Sequence, residues 1–188
     1  MTNQNLIPDK IGFVGPSFTL MNRVRRLFWQ TSWIIFAMWT PPFFHKWRIF
    51  LLRVFGAEVS WKAYIYPNVK IWAPWNLTVA DYGTLGPGVV CYNIAPIFIG
   101  FKAVVSQGAE LCTGTHDFRH PAFPLIAKPI SIGRRAWVCA NALIGPGVNV
   151  GEGAVLGAAG VAFYNLESWA IYIGNPATLV QQRPFIED

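Results

Sequence analysis

Between Ile132 and Leu156 the aliphatic positions recur at a fixed interval: Ile132, Val138, Ile144, Val150 and Leu156 stand six residues apart. Gly133, Gly145, Gly151 and Gly157 each follow one of them directly, and Ala136, Ala142, Val148, Ala154 and Gly160 come four residues after each. An amphipathic helix sets its apolar residues three and four apart, so a step of six does not fit one. It is the internal period of a solenoid. The pattern predicts a short strand and a turn in every six residues, with the aliphatic side chain pointing into the coil and the small residue filling the corner. Glycine frees the backbone at such turns. The same interval opens earlier, at Val59, Ile65, Ile71 and Leu77. It blurs across the glycine-dense stretch from Asp81 to Gly88 and resumes in a new phase at Ile99, Val105 and Leu111. The stretch from Thr113 to Pro129 (TGTHDFRHPAFPLIAKP) interrupts it, as an insertion at a corner does without disturbing the stacking. The repeat runs to Val161, and after Asn165 the chain is expected to leave the coil for an extended tail marked by Pro176 and Pro184.

Upstream the pattern changes. Residues 1–16 read as a polar arm. Ser17 to Thr40 reads as a helix, with Ser17 as its N-cap and Pro41-Pro42 as its stop. Arg23, Arg25 and Arg26 cluster in its first half, and its second half is nearly all apolar. Phe44 to Phe55 reads as a second helix ended by Gly56. Trp47, Phe50, Leu51 and Val54 share one face of it, and Lys46, Arg48 and Arg53 add positive charge. Either this pair caps the open end of the coil and helps to form an oligomer, or its basic, aromatic surface lies among lipid headgroups. The two readings are compatible. The apolar run from Trp33 to Trp39 is too short to cross a bilayer. The expected division is an arm and helical cap over 1–56, a repeat domain over 57–165 with its loop at 113–129, and a closing segment over 166–188.

Composition sharpens this picture. Hydrophobic residues make up 53% of the chain and charged residues only 13%. A surface that dry is expected to be covered, by further copies of the chain or by a membrane. The net charge of +6 favours anionic partners such as a phosphorylated cofactor, a sugar nucleotide or an anionic lipid surface. No basic run or binding motif points to nucleic acid. Cys91, Cys112 and Cys139 read as small apolar fillers, with no CxxC pair among them. Asp9, Lys10 and Pro16 interrupt any secretory signal, so the expected location is cytoplasmic, at the inner face of the membrane if the helices bind one.

The period of six, closed by Tyr172-Ile173-Gly174-Asn175-Pro176-Ala177, resembles the hexapeptide-repeat acyltransferases. Arg25 to Gln30 (RRLFWQ), Pro41-Pro42 and Leu51 to Ala57 (LLRVFGA) are similar to the acetyltransferases of exopolysaccharide assembly, such as those of colanic acid biosynthesis. The resemblance implies a mainly β fold: a left-handed parallel β-helix with three hexads per coil and an N-terminal helical segment. It also implies a homotrimer with threefold symmetry and sites between subunits, and transfer of an acetyl group from acetyl-CoA to a sugar hydroxyl. The acceptor would be a glycan, lipid-linked or nucleotide-linked. O-acetylation of a small free acceptor (a sugar, an antibiotic or serine) and a non-enzymatic β-helix scaffold stand as alternatives.

Transfer to a hydroxyl needs a general base, and a neutral imidazole near pH 7 suits that task. Leu111 to Asp117 (LCTGTHD) resembles the family's catalytic-histidine loop. That likeness implies that His116 takes the acceptor proton and that the hydroxyl attacks the thioester directly, with no covalent enzyme intermediate. Asp117 either orients His116 or is a solvated turn residue. His120, before Pro121, reads as a residue that shapes the loop, and His45 as structural. Asn93 resembles the acceptor-binding asparagine of galactoside-type relatives, and reads equally well as a structural turn residue. By position in the family, Trp137, Ala140, Ala158 and Gly160 line the groove for the pantetheine arm of coenzyme A, with Cys139 standing where many members have glycine. Arg134, Arg135 and Arg183 are candidates for its phosphates by charge alone, against a reading as solvated surface charge. Trp75 is either a packed residue or an acceptor wall. A zinc site is not expected: His116 and His120 are four residues apart, and the third histidine, His45, precedes the repeat.

Overall fold

The computed structural model describes residues 18–185. The six-residue pattern folds into short parallel strands stacked in three sheets. The first sheet holds Glu58–Val59, Leu77–Val79, Ile97–Ile99, Ile130–Ile132 and Asn149–Val150. The second holds Tyr64–Ile65, Thr84–Leu85, Val104–Val105, Trp137–Val138, Val155–Leu156 and Ala170–Ile173. The third holds Lys70–Ile71, Val90–Tyr92, Glu110–Cys112, Leu143–Ile144 and Val161–Ala162. The chain visits the sheets in rotation, which makes a parallel β-helix. The aliphatic at each sixth position points inward, and Val59, Ile65, Leu85, Ile99, Val105, Leu111, Ile132, Val138, Ile144, Val150 and Leu156 are all fully buried. One apolar column therefore runs the length of the coil.

The register explains the blurred stretch and the change of phase. Val59 pairs with Val79, Val79 with Ile99, Ile99 with Ile132 and Ile132 with Val150. Ile71 to Val79 and Cys91 to Ile99 are each eight steps, against six from Ile144 to Val150. The corner between the third and first sheets thus carries two extra residues in each of the first two coils, and Asp81 to Gly88 is regular coil between them. Pro74–Asn76 makes a 3-10 turn at this corner. In the third coil the same corner takes the long insertion after Leu111.

The coil continues past Asn165, contrary to the sequence expectation. Leu166 bridges to Val150, and Ala170–Ile173 pairs in parallel with Val155–Leu156. The predicted tail then returns as an antiparallel strand, Thr178–Gln182, on Ala170–Ile173. This reversal covers what would be an open sheet edge. Gly174, at φ +93°, makes the turn that a side chain would resist. Its carbonyl accepts from the Val161 N–H at 2.9 Å, and the Ala177 N–H donates to the Val161 carbonyl at 2.8 Å.

At the other end two helices, α1 (Leu20–Phe36) and α2 (His45–Val54), close the coil. Thr19 is the N-cap of α1, its Oγ1 accepting from the Asn22 N–H at 3.3 Å, while Ser17 lies outside the described residues. The helix stops at Phe36 rather than Thr40. Its last carbonyls are taken by side chains: Trp39 Nε1 donates to Ile35 and Thr40 Oγ1 donates to Ala37.

The chemistry of the cap follows from the ladder. Each coil bonds to the coils on both sides, as Ser60 N–H donates forward to Val79 O and Ala159 N–H back to Ala140 O. The carbonyls of the first coil that face away from the second have no coil before them and need donors. The helices supply these from side chains. Arg53 donates to Val59 O at 2.7 Å, Arg48 and His45 to Ile65 O at 2.7 and 2.9 Å, Trp33 to Val69 O at 3.1 Å and Trp29 to Ile71 O at 2.7 Å. Arg48, Ile49, Leu51 and Leu52 turn inward, and Trp47, Phe50 and Val54 turn outward, so of the four residues expected to share a face Leu51 lies on the other side.

Candidate active site

The insertion after Leu111 is a hairpin. Gly114–His116 pairs antiparallel with Leu125–Ala127, with His116 opposite Leu125. Its root is pinned by Thr113, fully buried, whose Oγ1 donates to Tyr92 O at 2.8 Å and accepts from the Ala95 N–H at 3.1 Å. At the tip Phe123, with φ +47°, turns the chain so that its carbonyl meets His116 Nδ1 at 2.8 Å. The two rings stack at 4.6 Å between centroids and 7° between planes. A carbonyl oxygen only accepts, so Nδ1 carries the hydrogen and Nε2 of the neutral ring keeps its lone pair. His116 is exposed, held in one tautomer and braced on one face.

Asp117 does not make the contact that would orient His116. Its Oδ1 accepts from the Arg119 N–H at 3.0 Å, and its own N–H donates to Pro124 O at 3.0 Å. It shapes the turn, and the Phe123 carbonyl does the orienting. His120 also shapes the loop, its Nδ1 accepting from the Ala122 N–H at 3.1 Å.

Asn93 is fully buried. Its Oδ1 accepts from the Ala73 N–H at 2.9 Å and its Nδ2 donates to the Ala73 carbonyl at 2.6 Å. With Asn76, which donates to the Asn93 and Ile94 carbonyls, it stitches together the extra residues of successive corners. Fully buried and bonded on both amide atoms, Asn93 presents no surface to an acceptor, and its assignment to acceptor binding is corrected to the structural alternative.

The surface beside the hairpin is instead a column of side chains that follow the inward Ile71, Cys91 and Leu111. Trp72 donates its N–H to Cys91 O, and Tyr92 pairs with Cys112. The Tyr92 ring meets Trp72 edge-on at 5.0 Å, and a Cβ on Gly114 would lie 2.9 Å from Tyr92 Cε1, so the root of the hairpin rests on that ring. Arg26 of α1 stacks on Trp72 at 3.8 Å, and Arg25 stacks on Trp75 at 3.8 Å. Trp75 is thus a packed residue.

The second sheet presents the other candidate surface. Trp137 is exposed, its Nε1 donating to Ser106 Oγ at 2.8 Å. Ala140 and Ala158 stand at the next corner in successive coils, where Ala159 donates its N–H to Ala140 O at 2.9 Å. Gly160 has no room for a side chain, since a Cβ would lie 2.7 Å from Leu156 Cδ1. The corner is therefore lean, with the backbone near the surface. Cys139 keeps both backbone groups in the coil, its N–H donating to Leu156 O and its carbonyl accepting from Ala142. Arg183 stands at the preceding corner, on the far side of Trp137 from Ala140 and Ala158. Its Nη1 donates to the Arg135 and Gly153 carbonyls at 3.1 and 3.0 Å, which fastens the returning strand. Arg134 pairs with Glu152 at 3.3 Å. Among the described residues no group of three or more His, Cys, Asp or Glu is placed to hold a metal ion.

The fold is that of a hexapeptide-repeat-containing acetyltransferase of Vibrio cholerae solved with acetyl coenzyme A, at a TM-score of 0.80 and 20% identity over 98% of this chain and all of that one. A galactoside acetyltransferase solved with coenzyme A matches at a TM-score of 0.75 and 21% identity, over 88% of this chain and 85% of that one. No family model matches the sequence. The sequence is 40% identical, over 93% of this chain and 97% of the relative, to the Escherichia coli K12 protein named as the colanic acid biosynthesis acetyltransferase WcaF. The chain belongs to the hexapeptide-repeat acetyltransferases. It is an acetyltransferase related to that of colanic acid biosynthesis. The motif singles out His116 in the sequence. The carbonyl that sets its tautomer leaves no such mark, because a backbone group does not show in a residue pattern.

Proposed function

We propose that this acetyltransferase moves the acetyl group of acetyl-CoA to a sugar hydroxyl of a surface-glycan precursor, lipid-linked or nucleotide-linked, with His116 as general base. The observation that carries this reading is the bond between His116 Nδ1 and the Phe123 carbonyl, which leaves Nε2 as the acceptor of a proton. The acceptor hydroxyl gives its proton to Nε2 as its oxygen bonds to the thioester carbonyl carbon. The C–S bond then breaks, and the departing thiolate takes the proton back from His116. No covalent enzyme intermediate is needed, and the cysteines favour none. Burial pushes the Cys91 thiol up to about 12 and raises those of Cys112 and Cys139, which disfavours the nucleophilic thiolate. Acetyl-CoA lies along the second sheet, its pantetheine arm at the lean corner of Ala140, Ala158 and Gly160 beside Trp137, with Arg183 toward its phosphates. The working assembly is a homotrimer with threefold symmetry, in the cytoplasm.

The test follows coenzyme A release from acetyl-CoA with a panel of nucleotide-linked, lipid-linked and free sugars. Release that depends on a linked sugar, with an O-acetyl ester in the product, is expected. Equal turnover of free sugars would favour a small-acceptor enzyme, and no coenzyme A binding at all would favour a scaffold.

A further inference from the structure

The cap has a second face. α1 turns Asn22, Trp29 and Trp33 toward the coil, and most of its aliphatic residues away from it. Leu20, Met21, Leu27, Phe28, Trp39 and Phe43 are between 63% and 76% exposed. Trp47, Phe50 and Val54 of α2 extend this surface. A continuous apolar patch of this kind is uncommon on a soluble monomer. The charge around it has one sign. No acidic residue occurs between Asp9 and Glu58, and Arg23, Lys46 and Arg53 are exposed among the apolar residues.

We propose that this face docks on the surface of an anionic lipid bilayer, with α1 lying in the interface. Among the described residues no helix is long and apolar enough to cross a membrane, so this is attachment to the surface. Exposed Trp, Phe and Leu with basic residues at the rim are what an interfacial helix requires. Anionic headgroups answer the unbalanced cations, at the same depth at which acyl chains receive the apolar side chains. A twofold contact with a second copy fits less well, because an isologous interface would press Arg23, Lys46 and Arg53 against their own equivalents with no carboxylate between them, and the oligomeric mass of the variant below tests the heterologous contacts of a trimer.

The docking face is joined to the catalytic hairpin by direct contacts. α1 places Arg26 on Trp72, Trp72 meets Tyr92, and Tyr92 underlies Gly114, two residues before His116. Docking through α1 therefore sets the acceptor end of the site beside the bilayer, which suits a sugar whose lipid anchor stays in the membrane. The docking stands on the surface alone. Only the lipid anchor of the acceptor rests on the glycan reading given above.

The experiment is co-sedimentation of the full-length protein with vesicles of phosphatidylcholine alone and of phosphatidylcholine mixed with phosphatidylglycerol, at low and high salt. Binding to the mixed vesicles is expected, weakened by salt. L27E/F28E should weaken it at least about tenfold while leaving the melting temperature and coenzyme A release with a soluble acceptor unchanged. No binding to either vesicle, or binding indifferent to L27E/F28E, would overturn the proposal. So would a loss of oligomeric mass on L27E/F28E in sedimentation, which would make the face a contact between copies. Vesicle binding without acetyl transfer would leave docking standing and remove the glycan reading.

Discussion

Replacing Trp29 by Phe tests whether side-chain donors close the coil. Trp29 is fully buried, its ring packed on Trp33 at 5.0 Å and on Phe55 at 5.2 Å, with Nε1 at 2.7 Å from the Ile71 carbonyl. Phe keeps a ring against both neighbours and removes the N–H. The Ile71 carbonyl is then a buried acceptor without a partner, which costs about 1–3 kcal/mol. The smaller ring adds about 1 kcal/mol for a void that closes only in part. The sum is about 2–4 kcal/mol. At about 2–4 °C per kcal/mol for a chain of this length, the melting temperature should fall by about 5–15 °C. Differential scanning calorimetry at one protein concentration reads this directly. Trp137→Phe is the control, because Trp137 is exposed and water replaces its bond to Ser106, so its change should stay within about 0.5 kcal/mol. Equal, small shifts for the two variants would refute the argument, since the first-coil carbonyls would then not need the donors of the cap.

Three further outcomes follow. Asp117→Asn keeps an oxygen for the Arg119 N–H, so kcat/KM should stay within about threefold; a loss of about a thousandfold or more would make the carboxylate the orienting group after all. Asn93→Ala removes both bonds to Ala73 and should cost about 2–4 kcal/mol in thermal unfolding without raising KM for the acceptor in the folded enzyme; a raised KM at unchanged stability would restore Asn93 to acceptor binding. Burial, the largest cause, holds the His45 imidazole below its usual 6.5. The unfolded chain then binds more protons in that range, so this contribution to stability is complete above pH 6.5 and is lost as the pH falls through the lower folded value. Melting temperatures between pH 8 and 5 should show it, and His45→Asn should flatten the profile.

How far the residues announce the structure depends on what each signal reports. The inward aliphatics were legible because burial in a coil repeats at a fixed spacing, and the insertion was legible as the break in that spacing, though its hairpin pairing was not. The apparent loss of pattern at Asp81 to Gly88 came from two extra residues at a corner, which shift the phase without disturbing the coil. The burial of Arg48 was not legible because the residue reads as one more positive charge, and the need of the Ile65 carbonyl for a donor belongs to the neighbouring coil. Asn93 was ambiguous for a related reason: its partner, Ala73, lies one coil away. The closing strand was hidden because Thr178–Gln182 is exposed along its length and carries no burial pattern.

The central claim is that His116 is the base, poised by the Phe123 carbonyl. The most direct measurement is acceptor-dependent coenzyme A release by the wild type and His116→Ala, with coenzyme A affinity determined on both by calorimetry. A loss of about 10²–10⁴ in kcat/KM with unchanged coenzyme A affinity is the predicted result. Turnover within tenfold of wild type would contradict it, and would place the proton of the acceptor on another group.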